Sequence, residues 1–586
     1  MNRRNFFALG AAGAVLWAET PHPDAGQLEL EQSTPRASPI IALNHLGFRP
    51  EGQKKLLVRT KRANKDGAFM MQEVGSVLRP FRITRPLTWS GLNDHACYTG
   101  DFSDVTRIGM YQIEVNGECS VPFFIRPDVW RRTLPKAVGY HKYQRCGTAV
   151  PNVHPVCHLD DARRRDNGEH IDVTGGWHDA GDLRKWMGVT MLNAIGMLWL
   201  SRNLGNEWDA AGTGLQPIHD EVRWGNRYFL KMQDKDGLIF ADTAGGVNGD
   251  NSDNHWTDNI IGTNDDRYIN ASKPELAQAI FVTLQAMMAQ TFEKIDAGYA
   301  KVCLEAAQRC SKAAKRFGAT QETSWWILAA LELWRATHNN EYRDAARSTA
   351  DQLGALQNTN FSHGQREVRG FWQKSKSDAS PYCEAVYSAL PAVALARLIV
   401  ELPDAPEAGQ WRDRLKMYLD EYVFPLARRS PYDTIPYGIF YKTPTAENYR
   451  PLAGDVTYRY FMPTREQYWW LGINSHLECH AVSLALAAQV FQRDDCRHLA
   501  YRQLEWVMGA NPFGACMMTG EGMRNPYPHS RYVGLIPGGI INGIAGNPRD
   551  EPILDQQFHM DWRTTEYWSP QNAYYEWAVS ALEMQV

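Results

Sequence analysis

From Pro127 onward the apolar residues of this chain recur at three- and four-residue intervals in twelve separate segments, and this limits its fold more than any other feature. The segments lie near 131–146, 186–203, 217–233, 274–292, 297–316, 322–338, 340–356, 381–400, 407–428, 474–492, 494–509 and 568–586. Almost no strand signal falls among them. Twelve consecutive helices pair into six hairpins, and six hairpins can close on themselves as an (α/α)6 barrel. The segment at Asn474 opens with Ser475-His476-Leu477-Glu478, the pattern of a capping box ahead of an apolar run. Loops at 147–185, 234–273, 429–473 and 510–567 remain. Long ordered loops in a compact domain usually carry function, so these four are expected to gather at one end of the barrel around a cleft.

Ahead of the helices, 39–127 reads with a period near two. Ile40–Leu43, Lys55–Arg59, Phe81–Ile83, Tyr111–Val115 and Val121–Ile125 have the pattern of short strands, separated by turn signals at Pro50-Glu51-Gly52, Asp66-Gly67 and Asn116-Gly117. A small β-sandwich of about 90 residues is expected. Thr20–Ser38, rich in Pro, Ser, Thr and Glu, reads as a linker. Met1–Glu19 reads as a twin-arginine export signal: Arg3-Arg4, then Asn5-Phe6-Phe7, then the apolar run Ala8–Ala18, which is too short to stay as a membrane anchor. The expected order is therefore signal 1–19, linker 20–38, sandwich 39–127 and barrel 128–586, in a protein exported to the periplasm or beyond the cell. No other stretch is long and apolar enough to span a bilayer, and the formal net charge is −4, so neither a membrane nor a nucleic-acid partner is expected. Ten cysteines in 586 residues do not make a disulfide scaffold.

The chemistry concentrates in Thr174–Trp186, TGGWHDAGDLRKW. Asp179 and Asp182 stand in a glycine-rich turn just before a buried helix, where a carboxylate can be held rigidly and still meet water. A bare pair of this spacing is otherwise an Asp-rich helix cap. Cys146, Cys157, His158 and His178 form a two-thiol, two-imidazole set suited to a closed tetrahedral zinc site. A buried cysteine pair or a Cys146–Cys157 disulfide is the alternative. The loop Asp250–Arg267 carries five aspartates; it could bind calcium through oxygens or line a cleft, with Trp256 as a stacking ring, or be a solvated acidic loop. Trp469-Trp470 and Phe371-Trp372 are candidate sugar platforms or core. No organic cofactor is indicated.

These residues resemble a known family. TGGWHDAGDLRKW is similar to the GGWxDAGDxxK signature of glycoside hydrolase family 9, the cellulases built on an (α/α)6 barrel. Ala42–Pro50 resembles the opening strand of the immunoglobulin-like domain of one branch, and Asp101-Phe102-Ser103, Gly109 and Tyr111 its later strands. Tyr143–Gly147 resembles the segment after the domain junction. Met508–Gly522 with Pro528–Arg531 resembles the substrate loop near the C-terminus. The resemblance implies Asp182 as general base, Asp179 as a second holder of the same water, and Glu566 as general acid, with Asn572-Ala573 at the family's offset. Glu576, inside the last apolar run, competes with Glu566 and reads as a helix position. Tyr567 and Trp568 would give Glu566 its apolar surroundings, and Tyr567 is expected on substrate with His529, Arg531 and Trp256. Where the family often has His-His-Arg, this chain has His529-Ser530-Arg531. The branch also carries a zinc site at positions matching the Cys/His set. The implied activity is inverting hydrolysis of β-1,4-glucan, endoglucanase-like. An exo-acting β-glucosidase or β-glucosaminidase, or a silent glycan-binding protein, are the rivals. Oligomeric state stays open.

Overall fold

A computed structural model describes residues 40–586 except 61–66, 76–81, 87, 90–95, 210–217, 247–252, 442–446, 465–469, 533, 556–560 and 585–586. The signal, the linker, Asp250 and Trp469 lie outside the described residues.

Ten short strands build the N-terminal sandwich: β1 (Ile40–Ala42), β2 (Gly47–Phe48), β3 (Lys55–Thr60), β4 (Ala68–Glu73), β5 (Arg82–Pro86), β6 (Thr88–Trp89), β7 (Ala96–Asp101), β8 (Gly109–Val115), β9 (Glu118–Cys119) and β10 (Phe123–Ile125). One sheet runs β1-β3-β7-β6 and the other β2-β10-β8-β4-β5, with β9 on β8. Phe48, Phe69, Phe102 and Phe123 interlock edge-on between the sheets and form a core of their own. A second set of sandwich residues, Ala42, Leu46, Leu57 and Cys97, belongs to the large core of the helical part. His45 completes that joint: its N–H donates to the Met508 carbonyl at 2.9 Å, and its Nδ1 accepts the Met523 N–H at 3.2 Å.

Among the described residues twelve long helices follow: α1 (Leu134–Tyr143), α2 (Met187–Leu204), α3 (Ile218–Lys231), α4 (Glu275–Phe292), α5 (Ala297–Ala313), α6 (Thr320–Thr337), α7 (Asn340–Ala355), α8 (Leu390–Glu401), α9 (Ala408–Tyr418), α10 (Asn474–Phe491), α11 (Asp494–Val507) and α12 (Ser569–Glu583). In sequence order α2, α4, α6, α8, α10 and α12 pack each against the next, and α12 returns to α2, closing an inner ring. The ring helices are buried around nearly their whole circumference, whereas outer helices such as α3 and α7 bury a single face. Each ring helix is backed by an outer partner: α3 on α2, α5 on α4, α7 on α6, α9 on α8, α11 on α10 and α1 on α12. This is the (α/α)6 barrel.

Two expectations at helix starts are not met. The segment expected to start at 381 becomes helical only at Leu390, because Pro391 fixes the first turn and disfavours helix before it. The expected capping box at Ser475 does not form. The Ser475 hydroxyl donates to the Ala385 carbonyl at 2.9 Å, and Glu478 is fully buried without a partner among the described residues.

The four long loops join one another at the end where the ring helices begin. Strands Arg163–Arg164, Lys185–Trp186, Asp242–Thr243 and Tyr268–Asn270 form one four-stranded sheet from the first two loops. The Gly181 N–H donates to the Tyr567 carbonyl at 2.8 Å, tying the first loop to the last. Asp550 accepts from Arg450 at 2.7 Å, tying the last loop to the third.

Candidate active site

The glycine-rich turn and the strand before α12 meet edge to edge. Ala180 pairs with Trp568 and Glu566 with His529 as isolated bridges, so residues 566–568 run extended. Side chains alternate along extended backbone. Glu566 and Trp568 therefore face the aspartates, and Tyr567 between them faces the opposite way. The Asp182 N–H donates to Glu566 Oε1 at 3.1 Å, which brings together the two residues expected to act as base and acid. Gly181 is required there: a Cβ would stand 2.3 Å from the His529 carbonyl oxygen and 3.2 Å from Glu566 Cγ.

Asp179 is buried and held on both oxygens. Oδ1 accepts the Trp186 N–H at 3.0 Å, and Oδ2 accepts the Trp568 indole N–H at 3.2 Å. Its backbone carbonyl accepts the Ser569 N–H at the first turn of α12. Asp182 is half-buried, and its Oδ1 accepts the Arg184 N–H at 3.1 Å. Burial, then the charge of Asp182, pushes the Asp179 carboxyl well above the usual carboxylate range. Burial, then the charges of Asp182 and Asp179, does the same to Glu566, against the Asp182 amide and the Arg531 cation. A group held protonated in this way can donate to a leaving oxygen.

Glu576, the competing glutamate, faces the core. Its Oε1 lies 2.8 Å from His141 Nε2, and both side chains are fully buried. Tyr567 corrects the expectation that it touches substrate. Its ring is fully buried, and its hydroxyl is spent on Thr519 at 2.8 Å and the Ile536 N–H at 3.3 Å. His529 is half-buried and Arg531 exposed, each tied by its backbone N–H: His529 to the Thr565 carbonyl, Arg531 to the Gly181 carbonyl at 2.8 Å. Ser530, at the family's middle histidine position, accepts the Tyr532 N–H at 3.1 Å and so shapes the loop.

Cys146, Cys157, His158 and His178 are all buried, and one ligand atom from each lies within 4.8 Å of the others. The two thiols are free, so the disulfide alternative falls. The orientation fits a cation. His158 Nε2 bonds the His255 carbonyl at 3.0 Å and His178 Nδ1 bonds the Tyr532 hydroxyl, which leaves His158 Nδ1 and His178 Nε2 facing each other at 3.3 Å. His158 Nδ1 also stands 3.5 Å from Cys146 Sγ. Against burial, which opposes it, the Cys157 thiol, then the Lys185 ammonium and the neighbouring imidazoles, hold the Cys146 thiol well below its usual value. Burial lowers His178 to about 3, so its ring is a neutral donor. This donor set suits zinc.

Sequence reasoning missed the support behind this cluster. Asp161, fully buried, takes Arg267 on both oxygens at 2.8 and 2.6 Å and Lys185 at 2.7 Å. Arg267 in turn donates to the Leu183 carbonyl at 2.6 Å. Charged residues scattered over a hundred positions leave no local pattern to find.

Trp256 is 38% exposed and stacks on His158, ring centroids 5.6 Å apart, so it caps the cluster with one face. The acidic loop is not simply solvated. Asp253 pairs with Arg165 and Asp266 with Arg163, and Asn254 Oδ1 accepts the Leu183 N–H at 2.7 Å. Asp265 and Asp266 approach Asp160 within 4.8 Å, and Asp160 Oδ2 is buried without a partner among the described residues. Of the candidate platforms, Phe371 and Trp372 are core, and Trp470 is half-buried beside Arg563.

Fold and site define a barrel glycosidase, and comparison with known proteins specifies the family. Residues 130–542 match glycosyl hydrolase family 9, and residues 36–120 match the cellulase N-terminal ig-like domain. The chain belongs to glycosyl hydrolase family 9. Endoglucanase D of Acetivibrio thermocellus is 27% identical over 87% of this chain and 78% of its own length. A xyloglucan-specific endo-β-1,4-glucanase of Bacteroides ovatus is 23% identical over 88% of each. Among solved structures, a metagenome-derived family 9 endoglucanase superposes with a TM-score of 0.69 at 20% identity, covering 93% of this chain and 99% of that one. A zinc-binding triple mutant of a family 9 endoglucanase superposes with a TM-score of 0.64 at 23% identity, covering 92% of this chain and all of that one.

Proposed function

We propose that this glycoside hydrolase cleaves β-1,4-glucan internally and with inversion, with Asp182 as general base and Glu566 as general acid. The observation that carries the reading is the meeting of Asp182 and Glu566 across the two joined loops, with Glu566 pushed toward its protonated form. Inversion needs an ionised carboxylate to deprotonate water and a protonated carboxyl to donate to the leaving oxygen, roughly 6.5–9.5 Å apart. Asp179, fixed by Trp186 and Trp568, helps hold the water for Asp182. His529 and Arg531 contact the sugar beside the scissile bond. The endo mode rests on the endoglucanases it resembles.

Zinc, bound by Cys146, Cys157, His158 and His178, is the structural part of this reading. When bound it supplies no chemistry to the reaction; it clips α1 to the turn that holds Asp179 and Asp182. Asp160, Asp265 and Asp266 offer an all-oxygen set for calcium, already partly neutralised by Arg163. The domain limits expected from sequence and export by the twin-arginine route complete the proposal. Product analysis on a panel of β-glucans and chito-oligosaccharides tests it. Mixed oligosaccharides from β-1,4-glucan are expected. Release of monosaccharide alone would favour the exo-acting reading, and glycan binding without turnover the silent one.

A further inference from the structure

Carboxylates at the barrel mouth other than the catalytic set are generally matched by a cation. Asp242 takes Arg184 at 2.9 Å, Asp550 takes Arg450 at 2.7 Å, and Asp161 takes Arg267 and Lys185. Glu384, like Glu322 and Glu478, has no such cation among the described residues. It lies on the loop that enters α8, so it stands at the same end of the ring as Asp182 and Glu566. Three residues on, the Tyr387 hydroxyl donates to the Gly188 carbonyl in the first turn of α2, which lies opposite α8 in the ring. Tyr387 also meets Trp325 of α6 edge-on at 6.2 Å. The loop thus spans the floor of the mouth, anchored to α10 through Ser475 on Ala385 and Ser388 on the His476 carbonyl.

Glu384 itself is half-buried. Among the described residues no side chain donates to it and no cation pairs with it; the amides of Ala385 and Val386 are its favourable neighbours, and Lys374 acts on it more weakly than Glu322 does. Burial, with Glu322 adding to it, pushes the carboxyl up to about 7. A partly desolvated carboxylate held only by two backbone amides is costly to keep, and its two oxygens offer about four acceptor positions. The bare amide contacts do not fill them.

We propose that Glu384 is a substrate-recognition residue whose carboxylate receives hydrogen-bond donors of a sugar lying in the mouth across from Asp182 and Glu566. This deepens the reading of the mouth as a β-1,4-glycan groove and rests on it. The donors are either adjacent hydroxyls of a glucose unit or the ammonium and hydroxyl of a 2-amino sugar; both are O–H or N–H groups set at neighbouring ring carbons.

The experiment compares wild type, Glu384→Gln and Glu384→Ala on cello-oligosaccharides and on fully deacetylated chito-oligosaccharides. Glu384→Gln keeps the shape and removes the charge. The expected result is a rise in KM of about tenfold or more for at least one chain type, with kcat changed less than about threefold. Loss confined to the amino-sugar chain assigns the ammonium; loss on cello-oligosaccharides assigns the hydroxyls. Melting separates recognition from a structural role, since removing a half-buried charge that no cation faces should leave the melting temperature of Glu384→Gln unchanged or raised. Unchanged KM in both variants on both chains would overturn the proposal, as would a lowered melting temperature with unchanged KM. If wild type turned over neither chain, the hydrolase reading itself would fail. Calorimetric binding of the same chains to the three proteins would then decide on Glu384 alone, with equal affinities rejecting it.

Discussion

The buried carboxylates at the far end of the inner ring and the catalytic ones at its mouth are treated in opposite ways. At the far end Glu332 of α6 accepts Arg202 of α2 on both oxygens at 2.9 Å, and Gln290 of α4 adds a third bond at 2.9 Å. Arg335 and Arg397 share Glu401 of α8, and Arg397 lies over the Trp199 ring, which stacks on Trp577 of α12. Burial would raise Glu332, yet Arg202, and behind it Arg335 and Arg397, hold it below the usual range. At the mouth, Glu566 and Asp179 are buried among other carboxylates and move upward. Burial is common to Glu332 and the catalytic pair; between them the difference lies in the supply of cations. The far end seals the ring, and the mouth keeps charge uncompensated where a proton has to move.

The comparison makes unequal demands on the two ends. The largest expected effect is at the mouth: Glu566→Gln and Asp182→Asn should each lower kcat on a soluble β-1,4-glucan by about a thousandfold while melting changes little. Removing zinc with a chelator should come next, lowering the melting temperature by about 5 °C or more and turnover with it, because the cluster clips α1 to the catalytic turn. Full activity in protein shown by elemental analysis to be metal-free would end the structural-zinc reading. Trp568→Phe removes the indole N–H from Asp179 and should cost about tenfold in kcat, about the value of one hydrogen bond. Glu332→Gln is the counterpart. It should destabilise by about 3 kcal/mol, since it strands Arg202, yet leave kcat of the folded protein within about twofold. A loss of turnover there like that at the mouth would erase the distinction between the ends.

The two glutamates also differ in sign with pH. Glu566, raised when folded, binds its proton more tightly in the native state, so its contribution to stability falls as pH rises from the unfolded carboxylate value toward the folded one. Glu332, lowered when folded, contributes above the unfolded carboxylate value and loses that contribution as pH falls through its folded value. Melting curves across pH should therefore flatten on the rising side in Glu566→Gln and on the falling side in Glu332→Gln.

Much of this was legible in the chain, for definite reasons. The ring helices declare themselves because each is apolar over three or more turns, and α2 and α4 are buried on every side. β4 and β7 were not found, since Ala68–Glu73 and Ala96–Asp101 mix Met, Gln, Cys and Gly and have no clean alternation. The pairing of Asp182 with Glu566, 384 positions apart, came from resemblance, because no local rule links such distant residues. Tyr567 was misplaced for want of a period-two reading of residues 566–568, which puts alternate side chains on opposite faces. The network of Asp161, Lys185 and Arg267 behind the cluster depends on tertiary approach alone.

The division of labour between Asp182 and Glu566 is tested most directly by changing what the acid has to do. Rates of wild type and Glu566→Gln are measured on β-1,4-glucan and on an aryl β-cellobioside whose phenol departs without a proton. If Glu566 is the acid, the variant loses about a thousandfold on the polymer and little on the aryl substrate. Equal loss on both, or none on the polymer, would contradict that role.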